Sequence, residues 1–413
     1  MAKITLKKGS AGSALQKESY NPLNELANLI GMPDLEKAYP TRNMEPWRRF
    51  NPAPLADELI SALKNGTTIS EIVIDETENF QLNSASKWKT TDEVFLQKAR
   101  ENIKKFKKNQ ATEFFENYIT KSISDDNFFI LRISKNKTYD KIPCIEISPN
   151  DSNKVCFNLF YIYCEEGSQA TLNIVKNSSK FDLSIIYIYQ EKNSNLNLRY
   201  LDENRNVKSH GVHFIKYVQD VQSISRSGIY NLCATSNKKL FIENKLMDSA
   251  SADYSGIFLG RYSHVDHDFQ IEHCGSYSKS NLLFKMSVMD DSYGIFWGDT
   301  TINAGTKGCE AYQQNKNLIL GNNSRVDATP KLGIKTENVV AAHGSATGEI
   351  SEEEIFYMMS RGLSYEEARR LLLHGFFEDV LRQSFTVTPE STDVFLDKIW
   401  DNIQNILGMQ INT

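Results

Sequence analysis

Residues 155–164 read Val-Cys-Phe-Asn-Leu-Phe-Tyr-Ile-Tyr-Cys. Val155, Phe157, Leu159, Tyr161 and Tyr163 recur with a period of two, the spacing at which side chains share one face of a β-strand. Short β-prone runs follow around Leu172, Ile185, Leu198, Phe214, Ile229, Phe241, Phe258, Ile271, Leu283, Phe296 and Leu318, roughly every 11 to 17 residues, with Asn, Ser, Asp and Gly clusters between them. No helical period interrupts them. A sandwich, a barrel and a β-solenoid remain open on pattern, and many short strands with asparagine-rich corners suit the solenoid. A solenoid has open ends to cover, so helical segments at both termini would have that task.

Residues 1–135 read as mostly helical. Pro22–Ile30 and Pro54–Lys64 each carry a proline near the first turn. A longer helix is expected from about Asp92 to Tyr118, with Val94, Phe95, Ala99, Ile103, Phe106, Phe114 and Phe115 inward. Lys104, Lys105, Lys107 and Lys108 fit a solvated helix face better than a polyanion site. The first 19 residues carry lysines and small residues but no apolar signal core, which favours a cytoplasmic start over a transit peptide.

The chain of 413 residues is long enough for two or three domains. Its net charge of −5, with both signs mixed, argues against nucleic acid as a partner. Six cysteines without a CxxC pair fit a reducing, cytoplasmic compartment, and no apolar run is long enough for a membrane span. P-loop, Rossmann and G-x-S-x-G signatures are missing, so ATP hydrolysis would have to come from another subunit.

Past the β region, Thr329–Arg382 changes character at His343-Gly344. Ser351-Glu352-Glu353-Glu354 and Ser364-Tyr365-Glu366-Glu367 each read as a capping box, and Gly362 suits a left-handed helix stop. The first helix, about 352–360, carries Ile355, Phe356, Met358 and Met359. The second, about 365–382, carries Ala368, Leu371, Leu372, Phe376 and Val380 at helical spacing. Three segments result: a helical 1–135, a β core at 136–345 and a helical 346–413.

His343-Gly344, the acidic Ser351–Glu354, Phe356-Tyr357, Arg361-Gly362 and Ala368-Arg369-Arg370-Leu371-Leu372 with Gly375-Phe376 occur in the order and spacing of a known C-terminal signature. Upstream stand Gln313/Gln314-Asn315-Lys316-Asn317-Leu318-Ile319-Leu320 and Thr329-Pro330-Lys331-Leu332. The chain thereby resembles the SufB/SufD family of iron–sulfur cluster assembly proteins, SufD most closely. Pro40-Thr41-Arg42-Asn43-Met44-Glu45-Pro46-Trp47-Arg48 is similar to a further family segment; a docking element and a buried tryptophan anchoring a loop both fit it, the anchor better.

The resemblance implies a right-handed parallel β-helix and a non-catalytic scaffold subunit that pairs with a SufB-like homologue and binds a SufC-like ABC ATPase. It places His343 at the cluster-assembly position as a candidate iron ligand, and Phe356, Tyr357, Arg361, Gly362, Arg369, Leu372 and Phe376 at the ATPase contact. Imidazole can ligate iron or carry protons. Two departures matter. Ala341 stands where many relatives have cysteine, and Gly333 where they have glutamate, so a complete cluster site within this chain is not expected. No cofactor is expected to stay on the chain alone; a transient Fe–S cluster would form at the SufB interface, and a flavin could join the complex. A homodimer in isolation is compatible with a β-helix edge. A SufB-type scaffold is the alternative within the family, though its thiol in the Q-x-N segment is missing here.

Outside the family, a carbohydrate-active β-helix enzyme would need paired carboxylates, for which Asp290-Asp291 is the one acidic pair of interest; a turn is its better home. His264-Val265-Asp266-His267-Asp268 is the densest histidine cluster. On a strand, residues 264, 266 and 268 share a face while His267 points away, which is awkward for a metal; a surface or corner position is the plainer reading. His273, close behind, reads as structural.

Overall fold

The computed structural model describes residues 22–31, 35, 39–74, 80–106, 112–204, 208–385 and 394–408. The start of the chain, on which the transit-peptide question turns, lies outside them. From residue 155 onward the chain winds as a parallel β-solenoid of two facing sheets. One, sheet A, holds β5 (Val155–Cys164), β7 (Phe181–Gln190), β9 (Ser209–Gln219), β11 (Ser236–Leu246), β13 (His264–His273), β15 (Tyr293–Ile302) and β17 (Arg325–Ile334). Sheet B holds β4 (Cys144–Pro149), β6 (Gln169–Asn177), β8 (Asn195–Asn204), β10 (Ile224–Ala234), β12 (Ser251–Arg261), β14 (Lys279–Met289), β16 (Cys309–Ile319) and β18 (Val339–Glu349). Val155 lies beside Phe181 and Tyr293 beside Arg325, so one coil takes from 26 to 32 residues. Each coil lays one strand on each sheet, which is why the β-prone runs recur at about half that interval.

The corners repeat as regularly as the strands. Gly167, Asn193, Gln222, Ser249 and Tyr277 all have positive φ and stack coil on coil. Each donates its amide to the next coil, as Asn193 N does to Val221 O at 3.0 Å and Ser249 N to Ser276 O at 2.8 Å. That bond satisfies a backbone donor where the strand ladder is interrupted, and it outweighs the steric cost of a left-handed side chain. Only one of these five positions is asparagine, so the corners are set by stacking more than by residue type.

Strand β5 is buried along its whole length because both faces are covered. Phe160 and Ile162 point between the sheets with Leu172, Ile188 and Phe284. Val155, Phe157, Leu159, Tyr161 and Tyr163 point outward, under an N-terminal helical layer that contributes Trp47, Phe50, Leu59 and Phe115. That layer comprises α1 (Pro22–Ile30), α2 (Ala53–Leu63), α3 (Ala85–Thr91), α4 (Glu93–Ile103) and α5 (Glu113–Ser122). The single helix expected over Asp92–Tyr118 is two: the first ends at Ile103 and the second begins at Glu113. On the other side, α7 (Tyr365–Phe385) and α8 (Val394–Leu407) pack Leu373, Phe377, Val380, Phe395 and Ile399 onto the outer face of sheet B, against Leu201, Tyr230, Leu232, Ile257 and Leu259.

The helical segments therefore cover the flat faces and not the solenoid ends, contrary to the expectation above. An apolar sheet face is far larger than an end coil, and burying it contributes roughly 25 cal/mol per Å². The N-terminal end is extended instead by strands unforeseen in the sequence. There β1 (Thr67–Ile74) runs antiparallel to β4 and continues beside β5, while β2 (Gln81–Ser84) pairs with β3 (Phe128–Ile133).

Trp47 is fully buried between Phe50, Phe115 and Phe241, so it is the loop's anchor. Next to it lies a buried charge cluster. Lys239 Nζ sits 2.5 Å from Asp266 and 3.7 Å from Asp268, and 5.5 Å from the Trp47 ring. The alternation read for 264–268 is therefore present, but these residues are neither a metal site nor a surface corner. Further along the same face, Lys216 bridges Glu116 of α5 at 2.7 Å and Glu243 at 3.0 Å. Asp268 is completely buried, and the lack of solvent pushes its carboxyl up to about 7, against the pull of Lys239 and with Asp266 and Glu243 reinforcing the rise; Gln270 donates to it at 3.1 Å.

A carboxyl raised in the folded state stabilises below its unfolded value and loses that contribution as pH rises through the folded one. Asp268→Asn should therefore gain stability over the parent from about pH 4 to about 7, by up to on the order of 1.4 kcal/mol per pH unit, and hold a constant advantage above. Thermal melts of both proteins across pH 4–9 would read this; a pH-independent difference would contradict it.

Candidate functional site at the open end of the solenoid

The last coil has no cover. Among the described residues β17 pairs only with β15, and β18 only with β16, leaving two strand edges with free backbone groups. Most of β18 is exposed, His343 included. Only its start packs inward, where Val339 and Ala341 meet Ile302, Cys309 and Ala311. Ala341, in the position where a thiolate is missing, thus fills a small apolar end core.

Register places Gln313 beside His343, Asn315 beside Ser345 and Asn317 beside Thr347. Gln313, Asn315 and Asn317 are at most 4% exposed, an unusual row of amides between two sheets. Gln313 Nε2 crosses to sheet A and donates to Thr300 Oγ1 at 2.8 Å and Lys331 O at 3.1 Å. Asn315 Nδ2 donates to Phe284 O at 3.1 Å, and Ser345 Oγ donates to Asn315 Oδ1 at 3.2 Å. Asn317 Nδ2 donates to Asn315 Oδ1 at 2.6 Å and to Thr347 Oγ1 at 3.1 Å. Asn315 and Asn317 thus tie the exposed β18 to the coil behind it, while Gln313 ties sheet B to sheet A. Gly298 makes room for this, since a Cβ there would stand 2.4 Å from Gln313 Oε1. The sequence displays the Gln-Asn-Asn spacing, but no residue pattern says that an amide row faces inward.

The other histidines lie elsewhere, as do the thiols apart from Cys309 of the end core. His273 is buried, with Nδ1 and Nε2 each 2.8 Å from a serine hydroxyl, Ser278 and Ser280, in keeping with its structural reading. His267 sits between Phe258 and Phe284, where burial pushes it down to about 3. Burial likewise raises Cys156 to about 12 and Cys233 to about 11, unfavourable for thiolate chemistry. Asp290 and Asp291 occupy a corner with positive φ, and Asp290 holds Arg261 at 2.7 Å. No group of three or more metal-ligating side chains occurs among the described residues.

The second candidate region is α6 (Glu352–Ser360) with the start of α7. Ser351 Oγ caps Glu354 N at 3.3 Å, and Ser364 with Glu367 forms the reciprocal box. Gly362 stops α6 at φ +100°, as its place implied. Phe356 and Tyr357 are 73% and 59% exposed, and Arg361 stacks 5.2 Å above the Tyr357 ring. Tyr357, Met358 and Leu372 line a groove of about 390 Å³ with Ser351, Glu353 and Glu354.

Arg369 and Phe376 face the other way. Arg369 donates to Leu320 O at 3.3 Å, and the Phe376 carbonyl receives Lys285 Nζ at 2.6 Å. The apolar set of α7 is also shifted: Ala368 and Val380 are buried as their spacing implies, but Leu373, Phe377 and Leu381 are buried in place of Leu371, Leu372 and Phe376, and Leu371 is 53% exposed. α8 covers part of sheet B, so the face of α7 turned to sheet B is not the one its neighbours in sequence suggest.

The fold and its uncovered polar end define a β-solenoid protein whose candidate site lies at a strand edge. Residues 147–376 match the SUF system FeS cluster assembly, SufBD core domain, and the chain belongs to the SufBD family of iron–sulfur cluster assembly proteins. Its relatives include an iron–sulfur cluster assembly SufBD family protein of Mycobacterium leprae, 36% identical over 29% of this chain and 32% of that protein. Iron–sulfur cluster assembly proteins named SufD are similar too: that of Bacillus subtilis is 31% identical over 33% of this chain and 31% of its own length, and that of Escherichia coli 30% over 26% and 25%. The aligned stretches span a third or less of each of these relatives. The resemblance to SufD read from the motifs is borne out at this level.

Gly298→Ala should displace Gln313 and destabilise the last coils by about 1–3 kcal/mol, with amides of β17 and β18 exchanging faster while those of β7 and β9 keep their protection. Uniform exchange in both regions would remove the clamp role.

Proposed function

We propose that this chain is a SufD-like scaffold subunit of iron–sulfur cluster assembly, which pairs through its open coil with a SufB-like homologue and recruits a SufC-like ABC ATPase through α6 and the start of α7. The observation that carries this reading is the uncovered last coil, where free edges of β17 and β18 flank the exposed His343. A second solenoid end of the same construction would extend both sheets and bury the edge. His343 would then lie in the seam with its imidazole available to iron or to a proton, and the thiolate this chain lacks at Ala341 would come from the partner. The nascent cluster is cargo of such a seam. The chain needs no ATPase site of its own, since the exposed Phe356-Tyr357-Arg361 surface has the aromatic and arginine composition of an interface anchor. No helix among the described residues is long and apolar enough to cross a membrane.

His343→Ala should leave folding and pairing intact and lower cluster assembly at least tenfold, followed by cluster absorbance after reconstitution of the purified complex; unchanged assembly would remove His343 from the site. For the ATPase contact, removal of residues 351–413 would bare the apolar face of sheet B, so point variants are the cleaner test. Phe356→Ala with Tyr357→Ala should weaken co-purification of the ATPase by about 2 kcal/mol or more, while Leu371→Ala should matter less. Equal retention of the ATPase by the double variant and the parent would place the contact elsewhere.

A further inference from the structure

We infer that Gln313 is a positioning residue for His343, its side-chain oxygen taking the imidazole N–H and leaving the other ring nitrogen to face the open end. This rests on His343 as the working residue of the proposed scaffold. Both protons of Gln313 Nε2 are committed, one to Thr300 Oγ1 and one to Lys331 O. Because Lys331 O is a carbonyl and can only accept, the amide cannot be turned round, and its oxygen must be Oε1. That oxygen is buried and has no hydrogen-bond partner among the described residues, an unfavourable state unless a donor arrives.

The register names the donor. Gln313 and His343 are direct neighbours on adjacent parallel strands, about 4.8 Å apart along the ladder, with both side chains on the inward row. The residues two places either way on β18 are Ala341 and Ser345, small enough to let the exposed ring turn toward Gln313. Across the interior, Pro330 pairs with Gly298, and proline has no amide proton to offer. An imidazole whose N–H is held by an oxygen has its tautomer fixed and its other nitrogen made a better base and ligand.

The test uses the full chain labelled with ¹⁵N-histidine, whose seven histidines give few signals; His343→Ala identifies the one that matters. A two-bond ¹H–¹⁵N spectrum at about pH 8.5, above the ordinary imidazole range, reads the tautomer directly. The parent should show His343 in one neutral tautomer, and Gln313→Leu a mixture of both. Thr300→Val, which loosens the Gln313 clamp but keeps the oxygen, should stay in the parent form. In the assembled complex Gln313→Leu should slow cluster formation about tenfold or more. A mixture in the parent overturns the proposal even if Gln313→Leu does not fold, and so does a mixture in Thr300→Val or an unchanged tautomer in a folded Gln313→Leu. Undiminished assembly by His343→Ala would instead remove the scaffold role of His343 and leave the tautomer result standing.

Discussion

Parallel pairing between successive coils is the interaction on which the remaining structure depends. It gives each strand two neighbours one coil away and leaves every sheet with two faces and an edge at each end. The inner faces meet each other. The outer faces require separate cover, and the chain supplies it from both termini, with Trp47 and Phe115 over sheet A and Phe377 and Ile399 over sheet B. At the N-terminal end the sheets run on into β1 to β3; at the other end the last coil leaves the edges of β17 and β18, and His343 stands on the latter.

The two helical layers hold their sheets in different ways. Over sheet B the contact is mainly apolar, with Arg199 buried beneath the end of α7, its guanidinium 4.1 Å above the Phe385 ring and donating to Ser384 O; a cation at a helix C-terminus is favourably placed. Over sheet A the contact includes Lys216 and Lys239 with Glu116, Glu243, Asp266 and Asp268. Buried charges of this kind are poor sources of net stability but costly to leave unpaired, so they define the seating of α5 and the Trp47 loop more than its strength.

What could be read in the sequence follows from these facts. All eleven β-prone runs from Leu172 to Leu318 fall in separate strands, β6 to β16, because period-two patterning and corner residues are local signals. The caps at Ser351 and Ser364 and the stop at Gly362 were legible for the same reason. Less local features escaped. The helical period of α7 marks its apolar residues but not which of them meet sheet B, and α8 sends Trp400 to stack on His374 at 4.2 Å beside the exposed Leu371. The His264–Asp268 segment alternates as expected, but nothing near it in sequence reveals that Lys239, one coil earlier, would neutralise it. His343 itself was visible only through resemblance, since a lone histidine carries no periodic signal.

The polar interior of the last coil makes sense as the complement of that open edge. An apolar last coil would be more stable in isolation, yet it would also be sticky and indifferent to register, because hydrophobic contact is not directional. Amides are directional. Asn315 and Asn317 hold Ser345 and Thr347 of β18 at defined hydrogen-bonding positions, so a strand with only one neighbour keeps the geometry of a strand with two. The arrangement draws on groups of the neighbouring strands, with Phe284 O receiving from Asn315 and Thr300 Oγ1 and Lys331 O receiving from Gln313, and it requires Gly298 to have no side chain. A solenoid end held in this way is ordered before anything docks on it. In the proposed pairing, docking would then cost less conformational entropy than folding the strand at the interface, and the surface offered to a second solenoid would be a preformed pair of edges.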